Sequence, residues 1–453
     1  MKLRYVLSSA FLSLALCASA TDYDLQKPFG FCMVSSRTNS SSTYDVTGGG
    51  CYAYHPVTGV SSDKVVTLTA TGQDQKSEIY NAIINNDVII LDGKEGSFLV
   101  SSIMSFNSIK NKTILGINDA HLCTTWYVTQ DIKDALNAAG VPSMSTSGGG
   151  GTLPNGVSVA EQAEYQTRLI LMNMSDDKTE AYRNSGIFFF KKCENLIIRN
   201  ITFEGPGSID VGGSDLVSFN ATKHCWVDHC AFLDGMDGNF DITQKSDFNT
   251  VSWCTFSYTE RAYMHQNTNL VGSSDSESVG FLNTTYAFNR WGEGCKARMP
   301  MARVGKIHML NNYYDCTGNG SSAINPRKNS EFLIEGNYFE KNVKTYSQSG
   351  AVAVTWTSTN HIEGSSSKPS NSNFGTTVTV PYNYDEAPVN DVPAMIKEKA
   401  GATLTFPENT ETAIESIHSS DNSRHHVYNL MGQRVSENTR GIVIKNGKKY
   451  FQK

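Results

Sequence analysis

Short strand-like segments that end in an aromatic residue recur through the second half of the chain, and no other sequence feature limits the fold as much. The aromatic residues stand 29, 24, 32, 26 and 25 residues apart, at Phe203, Phe232, Phe256, Phe288, Tyr314 and Phe339. A period of twenty-odd residues, with strands and no intervening helices, is typical of a solenoid whose repeats pack on one another. The spacing therefore predicts an all-β fold, a parallel β-helix with aromatic rows stacked inside. A β-sandwich with irregular loops is the alternative.

Asparagine residues recur just before the ends of these segments. They stand at Asn200, Asn311, Asn312 and Asn337. A short polar side chain tolerates the left-handed conformation and bonds its own backbone, so these positions suit the turns between the sheets of a β-helix.

Composition and charge exclude several classes of protein. The chain has 453 residues, enough to bury one large core or two smaller ones, and its 39% hydrophobic content rules out wholesale disorder. The net charge of −6 gives no general basic surface, so we expect no nucleic-acid partner and only local attraction for an acidic polymer.

The first twenty residues predict a secretory signal peptide. Lys2 and Arg4 form its positive region, an apolar run follows, and Ala18–Ala20 forms a small-residue cleavage site. We expect cleavage after Ala20 and a secreted, periplasmic or cell-surface protein; a lipid anchor at Cys17 is the weaker alternative. No other apolar run is long enough to span a bilayer, and a monomer is expected.

Nine cysteines follow the signal segment, an odd number, so they cannot all pair within the chain. Cys32 and Cys51 flank a serine-rich loop and are candidates for a disulfide in an exported protein. Small buried thiols are the alternative, especially for Cys230 and Cys254.

The sequence divides after the signal peptide into a long domain, residues 21–410, and a small β module, residues 411–453. Apolar spacing predicts a helix over 76–86 that covers an open end of the strand stack. Residues 119–165 resemble an insertion with a flexible run at 147–151, and residues 357–380 an exposed loop. A short helix is predicted around Val392.

Three aspartates make the main candidate for a metal site. Residues four apart on a strand share a face, which predicts that Asp237 and Asp241 project together. Asp215 lies 22 residues before Asp237 and Arg261 lies 24 after it, so a coil of that length would stack all four side chains. Converging carboxylates repel one another unless a cation lies among them, and oxygen ligands suit Ca²⁺. A solvated acidic face is the simpler alternative.

Six motifs together resemble the pectate lyase family, polysaccharide lyase family 1, over roughly residues 28–405. They are Asn111–Gly116, Cys225–Cys230, Asp237–Asp241, Ser252–Trp253, Arg298–His308 and Asn311–Tyr314. The combination in this order is specific, whereas the first and third motifs alone are weak. The resemblance implies a right-handed parallel β-helix that cleaves pectate, an acidic polysaccharide, by calcium-assisted β-elimination.

The resemblance also implies roles for individual residues. Asp215, Asp237 and Asp241 match the family's calcium ligands. Arg298 matches the base that removes the C5 proton of a galacturonate, and Arg303 matches a residue that holds a substrate carboxylate.

Arg261 stands where the family commonly has a substrate-binding lysine. The charge is retained, but a guanidinium grips a carboxylate with two prongs where an ammonium is a point charge. We therefore expect altered subsite geometry.

Three rival functions remain open at this stage. A pectin lyase would act on methyl-esterified chains without calcium, and such enzymes replace part of the acidic cluster. A polygalacturonase would need paired carboxylates and a Gly-His-Gly signature, which the sequence lacks. A non-catalytic carbohydrate-binding β-helix would have no reason to hold Arg298 and Arg303 beside a calcium cluster.

The last twenty residues, from Arg434, are loosely similar to C-terminal modules of exported Bacteroidetes proteins. Two strand signals, residues 427–435 and 441–451, form the module. This predicts a role in export or surface attachment; a hairpin that caps the last coil is the alternative.

Overall fold

The computed structural model describes residues 27–50, 64–141, 152, 154–174, 184–209, 213–364, 373–374, 376–406 and four strands between 427 and 452. The chain divides into two compact units, Met1–Thr405 and Phe406–Lys453. The signal segment, Cys51 and the run at 147–151 lie outside the described residues, so the predictions made for them stay predictions.

Sheet A is the largest sheet of the first unit. Its strands are parallel except the last, which is antiparallel. In spatial order they are β1 (Val65–Thr69), β2 (Val88–Asp92), β5 (Lys110–Ile117), β8 (Glu194–Arg199), β11 (Lys223–Asp228), β14 (Asp247–Ser252), β17 (Thr284–Ala287), β20 (Lys306–Leu310), β23 (Glu331–Glu335), β25 (Ala353–Trp356) and β27 (Asn373–Phe374).

Sheets B and C are entirely parallel. Sheet B contains β4 (Met104–Asn107), β7 (Phe188–Lys191), β10 (Val217–Asn220), β13 (Phe240–Thr243), β16 (Leu270–Val271), β19 (Met301–Arg303) and β22 (Asn325–Arg327). Sheet C contains β3 (Phe98–Val100), β6 (His121–Thr124), β9 (Thr202–Glu204), β12 (Ala231–Leu233), β15 (Thr255–Ser257), β18 (Arg290–Trp291), β21 (Tyr313–Tyr314), β24 (Tyr338–Phe339) and β26 (His361–Ile362).

From β4 to β24 each coil supplies one strand to sheet B, then to sheet A, then to sheet C, and the next coil repeats the order. Because successive coils pair strand on strand in parallel, the chain is a right-handed parallel β-helix, and the predicted fold class is confirmed. The predicted exposed loop at 357–380 contains the short strands β26 and β27.

Aromatic rings stack along the interior of sheet C, as the repeat predicted, and the row ends on Trp356 of β25 in sheet A. The ring centroids lie 4.4–5.8 Å apart along the row Phe203, Phe232, Phe256, Trp291, Tyr314, Phe339 and Trp356. One member of the predicted row is wrong. Phe288 is not in it, because it follows β17 of sheet A with a positive φ of 58°, and Trp291 fills its place three residues later.

The predicted asparagines serve the turns in two ways. Asn200 and Asn311 have φ of 58° and 50°, the left-handed conformation expected of them. Asn312 and Asn337 instead form part of a buried ladder in which each side chain bonds the next, from Asn289 to Asn360.

Two helices cover the first unit where strands would otherwise be bare. Helix α1 (Lys76–Asn85) buries Ile79 and Ile83 in the core cluster at the end of the solenoid, as predicted. Helix α4 (Val392–Lys399) follows a 3-10 turn, Val389–Asp391, and buries Val392 and Ile396 in a cluster with Trp253 and Phe288. A second 3-10 turn, Gly30–Met33, packs on β14 and β17 of sheet A.

The insertion predicted at 119–165 begins and ends later than expected. His121–Thr124 is a strand of sheet C that pairs with β3 and β9, so the excursion runs from residue 125 to β7 at Phe188. It contains α2 (Gln130–Ala138) and α3 (Val159–Met174), and its apolar residues pack with Ile209 and Met236.

The second unit contains a four-stranded antiparallel sheet among its described residues. Its strands are β28 (Val427–Tyr428), β29 (Arg434–Val435), β30 (Gly441–Lys445) and β31 (Lys448–Gln452), in the order β29-β28-β30-β31. Each of the two predicted strand signals is therefore a pair of strands. In the described part of the chain, helices long and apolar enough to cross a membrane are absent.

Candidate active site

Sheet B positions the candidate carboxylates. Asp241 lies on β13 and is buried, and its Oδ1 accepts a hydrogen bond of 2.9 Å from the backbone N–H of Leu270. Asp215 lies two residues before β10, and its Oδ2 accepts 2.8 Å from the hydroxyl of Ser218, the register partner of Asp241. The two carboxyl groups therefore meet across neighbouring coils.

Burial and mutual repulsion act on both carboxyl groups. Burial, assisted by the nearby carboxylate of Asp237, raises the pKa of Asp215 to about 7, although Arg298 and His265 oppose the rise. The pKa of Asp241 is also raised, by burial and then by Asp215, with Arg298 again opposing. A cation bound between the two groups would relieve this repulsion and favour their ionised forms.

Gly238 leaves the space between the two carboxylates open. A Cβ at this position would lie 2.7 Å from Oδ1 of Asp215 and 3.1 Å from Oδ1 of Asp241. Within the described residues, Oδ1 of Asp215 is buried without a hydrogen-bond donor. A buried acceptor with no donor, facing a second carboxylate, fits a hard cation with oxygen ligands.

Asp237 is arranged differently from the sequence-based expectation. It lies in the turn before β13, so strand alternation does not align it with Asp241. Its carboxylate faces the Nε2 of His265 at 2.9 Å. Among the described residues, the three aspartates do not bring one oxygen each within 4.8 Å of one another.

Two of the predicted arginines share a cleft beside these carboxylates. Arg298 and Arg303 line a cleft of about 370 Å³ together with Arg327. Arg298 precedes β19 and has a φ of 59°. Its positive charge acts to lower the pKa of both Asp215 and Asp241. Arg303 ends β19; its Nε donates to Asp275 at 3.0 Å and its Nη1 to the carbonyl of Gly272 at 2.9 Å.

Arg327 is a cleft residue that the sequence analysis missed. It is the register partner of Arg303 on the next strand of sheet B, and burial, then the charges of Arg303 and Arg298, lower its pKa. The signal was present, because residue 327 stands one coil after Arg303 in a repeat of that length. Three guanidinium groups in one cleft favour an anionic ligand.

The structure does not bring Arg261 to the aspartates. Its Nη1 donates to Oε1 of Glu204, and its guanidinium lies 3.9 Å from the centroid of the Tyr127 ring. Its predicted role in substrate binding stays a prediction. The side chain that faces Asp237 is His265, a loop histidine that the sequence pattern did not single out.

The central part of the chain matches a known sequence family. The sequence model described as pectate lyase matches residues 170–403, just over half of the chain. The chain belongs to the pectate lyase family. It is 34% identical over 227 residues to a probable pectate lyase A of Aspergillus niger. The aligned region covers 48% of the chain and 65% of that relative. It is 37% identical over 137 residues to a pectate trisaccharide-lyase of Thermotoga maritima, covering 28% of the chain and 36% of the relative.

Each of these matches covers less than two thirds of the relative's length. Solved structures extend the similarity in fold. A Bacillus subtilis pectate lyase variant superposes with a TM-score of 0.51 at 18% identity, covering 84% of the chain and all of that structure. A pectate lyase bound to a hexasaccharide gives a TM-score of 0.50 at 18% identity, covering 83% and 99%. At this identity the likeness shows that the pectate lyase family member shares their β-helix.

Proposed function

We propose that this chain is a secreted pectate lyase that cleaves α-1,4-linked polygalacturonate by calcium-assisted β-elimination. The observation that carries the proposal is the cleft lined by Arg298, Arg303 and Arg327, in which Arg298 also acts on two carboxyl groups with raised pKa, those of Asp215 and Asp241. Membership of the pectate lyase family supports the same activity.

Arg298 acts as the base in this proposal. It takes the proton from C5 of a galacturonate; the electron pair forms the C4–C5 double bond, and the glycosidic oxygen leaves C4. Because C5 is α to a carboxylate, negative charge develops beside one already present. Arg303 binds a substrate carboxylate and, with Arg327, stabilises the developing charge as a fixed electrostatic site.

Asp215, Asp237 and Asp241 hold Ca²⁺ in this proposal. Ca²⁺ held by these carboxylates would supply positive charge that stabilises the negative charge developing beside C5 of the substrate.

The decisive experiment follows the absorbance of unsaturated uronate from polygalacturonate, with a chelator and after calcium is restored. A pectate lyase gives absorbance that the chelator removes and calcium alone restores. Absorbance from methyl-esterified chains without calcium would indicate a pectin lyase instead. New reducing ends without absorbance would indicate a hydrolase, and no product at all a binding protein.

Asp237→Ala tests the metal assignment. We expect weaker calcium affinity and activity that recovers in part at high calcium, because Asp215 and Asp241 remain. Asp45→Ala, an exposed aspartate outside the cleft, is the matched control and should titrate with calcium like the native chain. A variant at Asp237 whose activity ignores calcium concentration would contradict the assignment.

A further inference from the structure

A second cluster of metal-ligating side chains lies on sheet C. Leu122 and Phe203 point into the apolar core, so their strand neighbours His121, Cys123 and Glu204 lie on the outer face of the sheet. Cys123 and Glu204 are direct register partners on β6 and β9. In the described part of the chain this is the one group of three such residues whose ligand atoms all lie within 4.8 Å of one another.

The distances match a tetrahedral transition-metal site. Oε2 of Glu204 lies 3.6 Å from Nδ1 of His121 and 3.6 Å from Sγ of Cys123. Zinc bonds of about 2.3 Å to sulfur and about 2.0–2.2 Å to nitrogen and oxygen place neighbouring tetrahedral ligands about 3.3–3.7 Å apart. Only small side-chain movements would be needed to bring the three atoms around one ion.

We propose that His121, Cys123 and Glu204 bind a transition-metal ion of borderline softness, Zn²⁺ above all, with water in the fourth position. An imidazole, a thiolate and a carboxylate form a mixed set that Zn²⁺ accepts and that the oxygen-preferring Ca²⁺ does not. The site is thus chemically distinct from the carboxylates of sheet B, and it does not rest on the proposed lyase activity.

The surroundings orient these ligands as metal sites require. Nε2 of His121 faces Oδ1 of Asp119 at 3.1 Å, and Nδ1 is directed toward Glu204. Ligating histidines usually donate their other ring N–H to a carboxylate or carbonyl in this manner. Arg261 bonds Oε1 of Glu204, so Oε2 remains on the side of the cluster.

The charges and the position of the cluster support the same assignment. Thiolate and carboxylate together offset the two charges of the ion, while Asp119 and Arg261 balance each other around it. The cluster joins β6 to β9 at the point where the excursion leaves the solenoid after Thr124. A bound ion would therefore fix the base of the excursion that packs beside Met236, next to Asp237.

The test uses the full-length chain, stripped of metal and kept in saturating Ca²⁺ so that oxygen sites are filled. Co²⁺ is titrated as the probe, because a cobalt–thiolate bond gives a charge-transfer absorption that oxygen ligands cannot give. We expect one equivalent of Co²⁺ to produce this band, Zn²⁺ to displace it, and Zn²⁺ to raise the melting temperature.

Variants assign the band to this cluster. Cys123→Ser should abolish the cobalt–thiolate band. His121→Ala should abolish it as well, and because His121 is partly exposed, this variant is expected to fold. Asp119→Asn, which preserves shape and tolerates the φ of 59°, should weaken Co²⁺ binding about 10- to 100-fold. His361→Ala, on β26 of the same sheet, is the matched control and should bind like the native chain.

Two outcomes would overturn the proposal. If the native chain shows no cobalt–thiolate band, the cluster is a network of ion pairs and hydrogen bonds around Glu204. If the band survives in both Cys123→Ser and His121→Ala, another cysteine binds the ion. Circular dichroism of each variant separates loss of binding from loss of fold.

Discussion

Asp247, a buried aspartate of β14, makes a pH-dependent contribution to stability. Its Oδ1 accepts hydrogen bonds from the backbone N–H and the side chain of Asn283, yet burial dominates and raises its pKa from 3.8 to about 6. The unfolded chain releases this proton first, so the folded state holds more protons between about pH 4 and pH 6. Stability from this group is therefore present at low pH and falls as the pH rises through that window.

Asp247→Asn should remove this pH dependence. The shift corresponds to roughly 3 kcal/mol of unfolding free energy, at about 1.4 kcal/mol per pKa unit. Urea unfolding at pH 4, 5, 6 and 7 should show a flatter profile in the variant than in the native chain. Asp45→Asn is the control at an exposed position, and identical profiles for all three proteins would contradict the argument.

Arg298→Lys tests the proposed base. The fold and the binding of polygalacturonate should be retained, because the positive charge stays in the cleft. Elimination should fall about 10²- to 10⁴-fold, the usual contribution of a positioned base, because an ammonium cannot reproduce the placement of the guanidine. The measurement is turnover by absorbance of unsaturated product.

Arg37→Lys is the matched control for that variant. Arg37 pairs with Glu331 outside the cleft lining, and its substitution should leave turnover unchanged. An Arg298→Lys enzyme that kept within tenfold of native turnover would show that another group is the base.

Single residues of the site could be predicted only where a strand or a motif fixed them. Arg298 and Arg303 belong to one dense motif around β19, and both line the cleft. Arg261 was predicted from its spacing and from its match to a family lysine; it lies in the loop before β16, where its guanidinium bonds Glu204. His265 lies in the same loop, where no periodicity constrains a side chain.

The asparagine ladder is an element whose strength can be measured. Asn312 is buried; its amide donates to the carbonyl of Tyr286 and to Oδ1 of Asn337, and its Oδ1 accepts from Asn289. Removing the amide leaves buried polar groups unpaired at about 1–3 kcal/mol each. Asn312→Ala should therefore lower the free energy of unfolding by several kcal/mol in urea titrations.

Asn360→Ala is the control at the end of the same ladder. Asn360 is only partly buried, so water can replace some of its bonds and its loss should cost less. An equal loss of unfolding free energy in the two variants would contradict the argument that burial determines the strength of the ladder.

Strands and turns differed in how well the sequence predicted them. The aromatic repeat located five of the nine strands of sheet C, where the inward position holds a ring; β6 and β26 hold Leu122 and Ile362 at that position. The repeat gave a wrong position at Phe288, because this ring belongs to a different stack. The ring centroids of Trp253 and Phe288 lie 4.5 Å apart, and both residues pack against helix α4. The turn before β13 was taken for strand, because alternation alone does not show where a strand begins.

At the scale of the whole molecule, both ends of the solenoid have their own covers. Helix α1 buries its apolar face at one end, and at the other β27 pairs antiparallel with β25. The position of the excursion, by contrast, could not be predicted from the sequence. An amphipathic helix shows which of its faces is buried, but not which surface of the β-helix that face contacts. Its contact with Met236 places it beside Asp237, and sequence spacing does not show this contact.

Truncation after Glu411 tests the role of the second unit. The strands β28 to β31 pair with one another, and the last strands of sheet A are already paired by β27. We therefore expect the purified truncated chain to keep its melting temperature and its activity on polygalacturonate, as a module for export or attachment predicts. Truncation after Pro388, which also removes α4, is the comparison. It should lower the melting temperature strongly, because Trp253 and Phe288 lose the cover of Val392 and Ile396. A loss of several degrees already at Glu411 would show instead that the second unit caps the β-helix.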